Sequence, residues 1–276
     1  MNYKKIISIV TYLTFIILTI FFFISNKEDF KKISEIPSYY ITTMFFLAFL
    51  TFYVNGIKIK LLTEFYNIKL NVKEYFGLSV ITTMGNYIIP ARGGAYLRAV
   101  YLKKKHNLSY LKFIPTFGAT LIISFFTISL IGFISIMIFD KTLNPFNSLL
   151  TSLFFIIFII NIFLLRINVK LRTTKNKFLN YIAKIINEWE KIRTSKKLII
   201  NLIMLDFLLV ILMSVRMLVT FQILNSGINL LQGIIIGSLI LILTLVNITP
   251  GNIGIKEAVI IFSAKITISK ENILII

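Results

Sequence analysis

The 276-residue sequence has no cysteine and a single histidine. Disulfides, thiolate metal sites and cysteine nucleophiles are therefore excluded, and a histidine-based metal centre has no second ligand of its kind. Charge is scarce as well: 15% of residues are charged, with 11 Asp+Glu against 30 Lys+Arg. Soluble domains carry about a quarter charged residues, so there is too little polar surface here to cover a soluble core. The sequence contains no G-x-x-x-x-G-K-[ST] loop, no H-E-x-x-H, no nucleophile elbow and no dinucleotide fingerprint. Each of these chemistries needs its own phosphate cradle, metal pair or strained turn. No cofactor or metal is expected, and the composition is closer to a transporter than to an enzyme.

What the sequence has is apolar length. Hydrophobic residues make up 57% of it, and the mean hydropathy is +0.86. A crossing helix needs about 20 apolar residues, and five runs supply it: Ile6–Ile24, Tyr39–Ile57, Phe113–Phe139, Leu149–Leu165 and Leu198–Val219. The first lacks a small-residue cleavage site and reads as a retained span. A net charge of +19 would point to nucleic acid in a soluble protein. Here the charges fall between apolar runs, as anionic headgroups and membrane orientation require, so the expected partners are membrane lipids and not nucleic acid.

Phe76–Ile89 and Leu230–Ile248 differ from the other runs: they stop at Pro90 and Pro250, and each is followed by a Gly-rich polar turn. Such breaks fit re-entrant segments. Six basic residues and no acid lie between Arg92 and Lys112, and ten basic residues and two acids lie between Arg166 and Lys197. Both stretches, with Lys4, Lys5 and the group Lys58, Lys60, Lys69 and Lys73, fall on the cytoplasmic side if the N-terminus is cytoplasmic and the first broken run dips and returns. Lys27, Lys31, Lys32 and Lys141 then lie outside. The expectation is a multi-pass protein of the cytoplasmic membrane. The linker 166–197 reads either as a solvated connector or as an amphipathic helix on anionic lipid.

The two turns share an order of residues: Asn86-Tyr-Ile-Ile-Pro90-Ala-Arg92-Gly93-Gly94 and Asn247-Ile-Thr-Pro250-Gly251-Asn252-Ile-Gly254. With opposite expected orientations they predict an inverted repeat of the kind secondary transporters use. The predicted fold is therefore all-α: one integral membrane domain over 1–276 with two opposed re-entrant hairpins. Symmetry asks for a closing span; Ser269-Lys-Glu-Asn272 reads as a helix start shortly before Ile276, so a final C-terminal span is expected to be missing.

Candidate chemistry gathers at the turns. Exposed amides at Gly93 and Gly94 favour an anion, and Arg92 and Arg98 add forked donors suited to phosphate. Two arginines snorkelling to the surface is the structural alternative. Lys256 and Glu257 follow the second turn, and ionisable groups at that depth are functional candidates. Glu257 could pair with Arg92 or Arg98, meet a headgroup, or satisfy its own helix start. Asp206 lies inside a span and needs a partner or a proton. Arg216 reads as snorkelling, His106 as a surface residue, and Asn55, Asn161 and Asn201 as glue between helices.

Pro90-Ala-Arg92-x-Gly94-x-x-x-Arg98, taken with Thr249-Pro250-Gly251-x-x-Gly254-x-Lys256-Glu257-Ala258, resembles the lysylphosphatidylglycerol synthase transmembrane-region family. That family includes the flippase half of the multiple peptide resistance factor, and the resemblance runs over about residues 5–276. Many members have an acid where this chain has Ala95, and Gly where it has Asn252. The resemblance implies lipid translocation, or assistance to lipid-linked sugar assembly; it does not extend to the aminoacyl-transferring domain of the large members.

Three functions are thus expected in turn. The first is a flippase for an anionic phospholipid or glycolipid, with Arg92, Gly93, Gly94 and Arg98 on the phosphate and Asp206, Asn252, Lys256 and Glu257 on the headgroup or a coupling ion. Pro90, Pro250, Gly251 and Gly254 would form the breaks. The second is a membrane glycosyltransferase, or its accessory, using polyprenyl-phosphate sugars. The third is a non-catalytic scaffold. A second copy of the chain or a lipid-synthesis protein is the further partner considered.

Overall fold

The computed structural model describes residues 35–89, 92–139, 145–168, 171, 176–247 and 249–267. It divides into two compact units, residues 1–45 and 46–276. Of the first, the described part is residues 35–45; the buried core and the cavity lie in the second. The expected span Ile6–Ile24, the break residue Pro90 and the helix start at Ser269 lie outside the described residues.

Among the described residues the chain is entirely helical: α1 Ser38–Glu64, α2 Val72–Ile88, α3 Gly93–His106, α4 Tyr110–Phe139, α5 Pro145–Arg166, α6 Lys177–Thr194, α7 Lys196–Ile223, α8 Leu230–Val246 and α9 Ile255–Thr267. Four of these, α1, α4, α5 and α7, are long and apolar enough to cross a membrane. Their outer faces carry large apolar side chains, such as Phe46 and Phe49 on α1, Ile160 and Phe163 on α5 and Met204 and Phe207 on α7. Water would penalise such surfaces and lipid does not. This is a multi-pass helical membrane protein.

Two segments are built alike. α1 and α7 are both followed by an asparagine in the left-handed region, Asn67 at φ 61° and Asn225 at φ 53°. In each case the next amide bonds back five residues, Ile68 to the Thr63 carbonyl at 3.0 Å and Ser226 to the Phe221 carbonyl at 2.9 Å. That pattern satisfies carbonyls a helix end would orphan. α2 and α8 then start with the same device. Asn71 accepts from the Glu74 amide and Glu74 returns to the Asn71 amide; Asn229 and Gln232 do the same. Both helices have 17 residues, about 25 Å at 1.5 Å per residue. That falls short of the ~30 Å hydrocarbon core.

The two segments are also inverted. Leu47 and Val54 pack with Leu212 and Leu209, while Leu62, near the end of α1, packs with Leu198 and Leu202 at the start of α7. α1 and α7 are therefore antiparallel. Since α2 follows the end of α1 and α8 follows the end of α7, the two short helices set out from opposite ends of that pair. Their far ends meet: the Asn247 side chain donates to the Asn86 carbonyl at 3.4 Å.

α2 and α3 form a hairpin. Its open end is clasped by Glu74, whose Oε1 lies 2.7 Å from Lys105 Nζ and 3.1 Å from His106 Nε2 and accepts from the Tyr101 hydroxyl at 3.0 Å. His106 is thus a clasp residue, where a surface position was expected. Lys105, then the Asn71 amide, hold the Glu74 carboxyl down at about 2. The hairpin's closed end is tight because Gly94 has no side chain; a Cβ there would lie 1.8 Å from the Thr82 carbonyl oxygen. On the other half, Gly237 of α8 faces the backbone of Ser214 on α7, where a Cβ would sit 3.2 Å from the Ser214 nitrogen. Small residues at helix contacts are how membrane helices associate without help from water.

The basic linker is more than a solvated connector. α6 buries Ala183 and Ile192 and leaves Phe178, Leu179 and Tyr181 exposed, so one face joins the core with Leu62 and Leu202. Asn55 and Asn161, expected between helices, donate to carbonyls one turn back on their own helices, Thr51 and Ile157.

Candidate functional site

Where α2 and α8 meet, a cavity of about 670 Å³ opens among α1, α2, α3, α4, α7, α8 and α9. Its charged wall residues come from both halves: Lys58, Arg92 and Arg98 from the first, Asp206, Arg216, Lys256 and Glu257 from the second.

Arg92 stands at the break between α2 and α3 with φ 61°, and its guanidinium lies over the Phe117 ring at 5.3 Å. Arg98, one and a half turns into α3, lies over Phe113 at 5.3 Å and is 9% exposed. Lys256 lies over Tyr87 at 5.4 Å. Ring faces offer a cation partial compensation only. Among the described residues, none of the side chains of Arg92, Arg98, Arg216 and Lys256 has a hydrogen bond or an ion pair. The buried Nε atoms of Arg92 and Arg216 are without partners. Arg216 therefore lines the cavity with a half-buried charge, where snorkelling to the surface was expected. Leaving buried cations unpaired is costly, so the arrangement stores attraction for an anion.

Asp206 is 1% exposed. Its Oδ1 accepts from Lys58 Nζ at 2.5 Å and from Ser124 Oγ at 2.8 Å. Lys58 also donates to Ser124 at 2.8 Å. Asp206 Oδ2 is buried without a partner. Lys58 had been expected in a cytoplasmic loop; α1 runs on to Glu64 and takes it inside, 4% exposed. A signal for it exists in the sequence. The offset that superposes Asn67, Asn71 and Glu74 on Asn225, Asn229 and Gln232 also puts Lys58 on Arg216.

The glycine-rich turn serves packing more than it presents amides. The Gly94 amide donates to Asn86 Oδ1 at 3.0 Å, and the Ala95 amide donates to the Arg92 carbonyl at 2.9 Å. A Cβ on Gly93 would strike Ile89. In the second turn, Asn252 is 1% exposed and donates to the Leu243 carbonyl at 2.7 Å, closing the end of α8. Glu257 Oε2 accepts from the Gly254 amide at 2.7 Å, which satisfies the start of α9. Among the described residues Glu257 has no ion pair with Arg92 or Arg98. Gly251, at φ 63°, lies where a Cβ would reach 2.3 Å from Tyr87, so the two breaks touch there as well. Lys256 and Gly251 line the cavity; Gly93, Gly94, Asn252 and Gly254 do not. Pro250 opens a short 3₁₀ turn, Pro250–Asn252.

No curated protein and no solved structure matches the chain. A match over residues 6–276 places it in the family described as the lysylphosphatidylglycerol synthase TM region, to which this protein belongs.

Proposed function

We propose that this protein carries the headgroup of an anionic phospholipid or glycolipid across the cytoplasmic membrane, with its N-terminus in the cytoplasm and α2–α3 and α8–α9 as re-entrant hairpins from opposite leaflets. One observation carries this reading: the inner ends of the two broken helices enclose a cavity with four cations that lack protein acceptors. Arg92 and Arg98 hold the phosphate through charge-assisted bonds, and the acyl chains stay in lipid. Family membership supports a flippase-like role. The energy comes from a lipid gradient or an ion.

Glycosyl transfer has less support. Of the two cavity acids, Asp206 is committed to an ion pair with Lys58 and Glu257 caps α9 through the Gly254 amide. The test is translocation of fluorescent phosphatidylglycerol or glycolipid in proteoliposomes, read as inner-leaflet label that becomes accessible to external dithionite. The native chain scrambles the label, and Arg92→Ala/Arg98→Ala does not. Undiminished flipping by that pair would reject the site.

A further inference from the structure

The charge in the cavity exceeds what one phosphodiester neutralises. Lys58 is matched by Asp206, which leaves Arg92, Arg98, Arg216 and Lys256, opposed by Glu257 alone. These four fall into two groups. Arg92 and Arg98, at the start of α3, lie over Phe117 and Phe113, two stacked rings of α4 whose centroids are 6.3 Å apart. Arg216 on α7 and Lys256 at the start of α9 share the wall of the other half, with Glu257 next to Lys256 in the chain. The first pair belongs to one half of the inverted repeat and the second to the other. Like charges held together away from water repel strongly unless an anion lies between them. Glu257 offsets one of the four charges, so a ligand with one negative charge still leaves two uncompensated. The remaining wall is largely apolar, with Phe52, Ile128, Leu241 and Leu245, which suits a hydrocarbon tail more than a free solute.

We infer that the cavity is built for a lipid headgroup bearing two phosphate groups, one held by Arg92 and Arg98 and the other by Arg216 and Lys256, as in a prenyl diphosphate. This rests on the headgroup-site reading above and names its substrate class. Arg216 and Lys256 thereby become binding residues for the second phosphate.

The experiment measures binding to purified full-length protein in phosphatidylcholine nanodiscs by isothermal titration. Four probes are used: farnesyl diphosphate, farnesyl monophosphate, inorganic pyrophosphate and phosphatidylglycerol. Farnesyl diphosphate is expected to bind at least about tenfold more tightly than the monophosphate, a difference of about 1.4 kcal/mol. R216Q/K256Q abolishes that preference while keeping monophosphate affinity, and R216K/K256R, which keeps both charges, retains it. Equal affinity for monophosphate or phosphatidylglycerol and diphosphate, lost on R92Q/R98Q, overturns the two-phosphate inference and leaves the headgroup site standing. Pyrophosphate binding as tightly as farnesyl diphosphate overturns the assignment to lipid. If no probe responds to either pair of substitutions in protein of native helicity and elution, both readings fall. Binding needs no transport, so pair-dependent diphosphate binding without flipping would reject translocation alone.

Discussion

The two halves of the repeat use one backbone plan and treat charge differently. At equivalent places on α1 and α7 stand Lys58 and Arg216. Lys58 is sealed against Asp206 and Ser124; Arg216 is left with an unpartnered Nε at the cavity wall. At the capping boxes stand Glu74 and Gln232. The first half turns its capping carboxylate into a clasp for Lys105 and His106. At the breaks the contrast reverses. The first turn projects Arg92 and Arg98 without protein acceptors, while the second spends Asn252 and Glu257 on its own backbone. A repeat fixes where side chains stand; the identity of each decides whether that place is structural or open to a ligand.

The contrast between Lys58 and Arg216 can be broken directly. Asp206→Ala strands a buried ammonium and is expected to cost about 3–5 kcal/mol of stability, as loss of one partner of a buried pair does. Arg216→Met removes a charge with no partner and is expected to leave thermal stability in detergent unchanged or raised. Equal losses for the two would erase the distinction. Gly94→Ala comes next: its methyl group must displace the Thr82 backbone, at about 3 kcal/mol, and lower the melting temperature. Gly254→Ala, in open space at φ 83°, bears only backbone strain of about 1 kcal/mol. Asn252→Ala should cost about 1 kcal/mol by removing the second of two bonds to the Leu243 carbonyl, which keeps the Asn247 amide; hydrogen exchange would show this as faster exchange at the end of α8, with the α2–α3 hairpin unaffected.

The smallest effect sharpens the clasp comparison. Glu74 titrates at about 2 in the folded chain against an ordinary 4.5. Its contribution is therefore full above pH 4.5 and is lost as pH falls from there through about 2. Glu74→Gln, which gives the first half the residue found at position 232, should remove that part of the acid sensitivity. A stability–pH profile compared with the native one checks it, and superimposable profiles would deny the clasp its role.

Much of the fold was legible in the residues. Four of the five long apolar runs became α1, α4, α5 and α7, because length and hydropathy decide what can cross lipid, and the fifth lies outside the described residues. The breaks near Pro90 and Pro250 ended helices, and Asp206 announced a partner by its place in a span. The partner itself was not legible. Lys58 was assigned to a loop because hydropathy falls there, and a helix that buries one lysine looks locally like a helix that has ended. The roles of Gly94 and Asn252 were equally hidden, since a glycine or asparagine in a turn reads the same whether it meets a ligand or the backbone behind it.

By itself, the sequence determined that the chain is helical and lives in a membrane, and which of its helices are broken, because these follow from apolar length, turn residues and the need to satisfy every backbone amide in lipid. Tertiary structure alone decided which charges are neutralised and which stand open. That depends on which side chains antiparallel packing of α1 and α7 brings within bonding distance, and no local pattern encodes a contact between residues as far apart as Lys58 and Asp206.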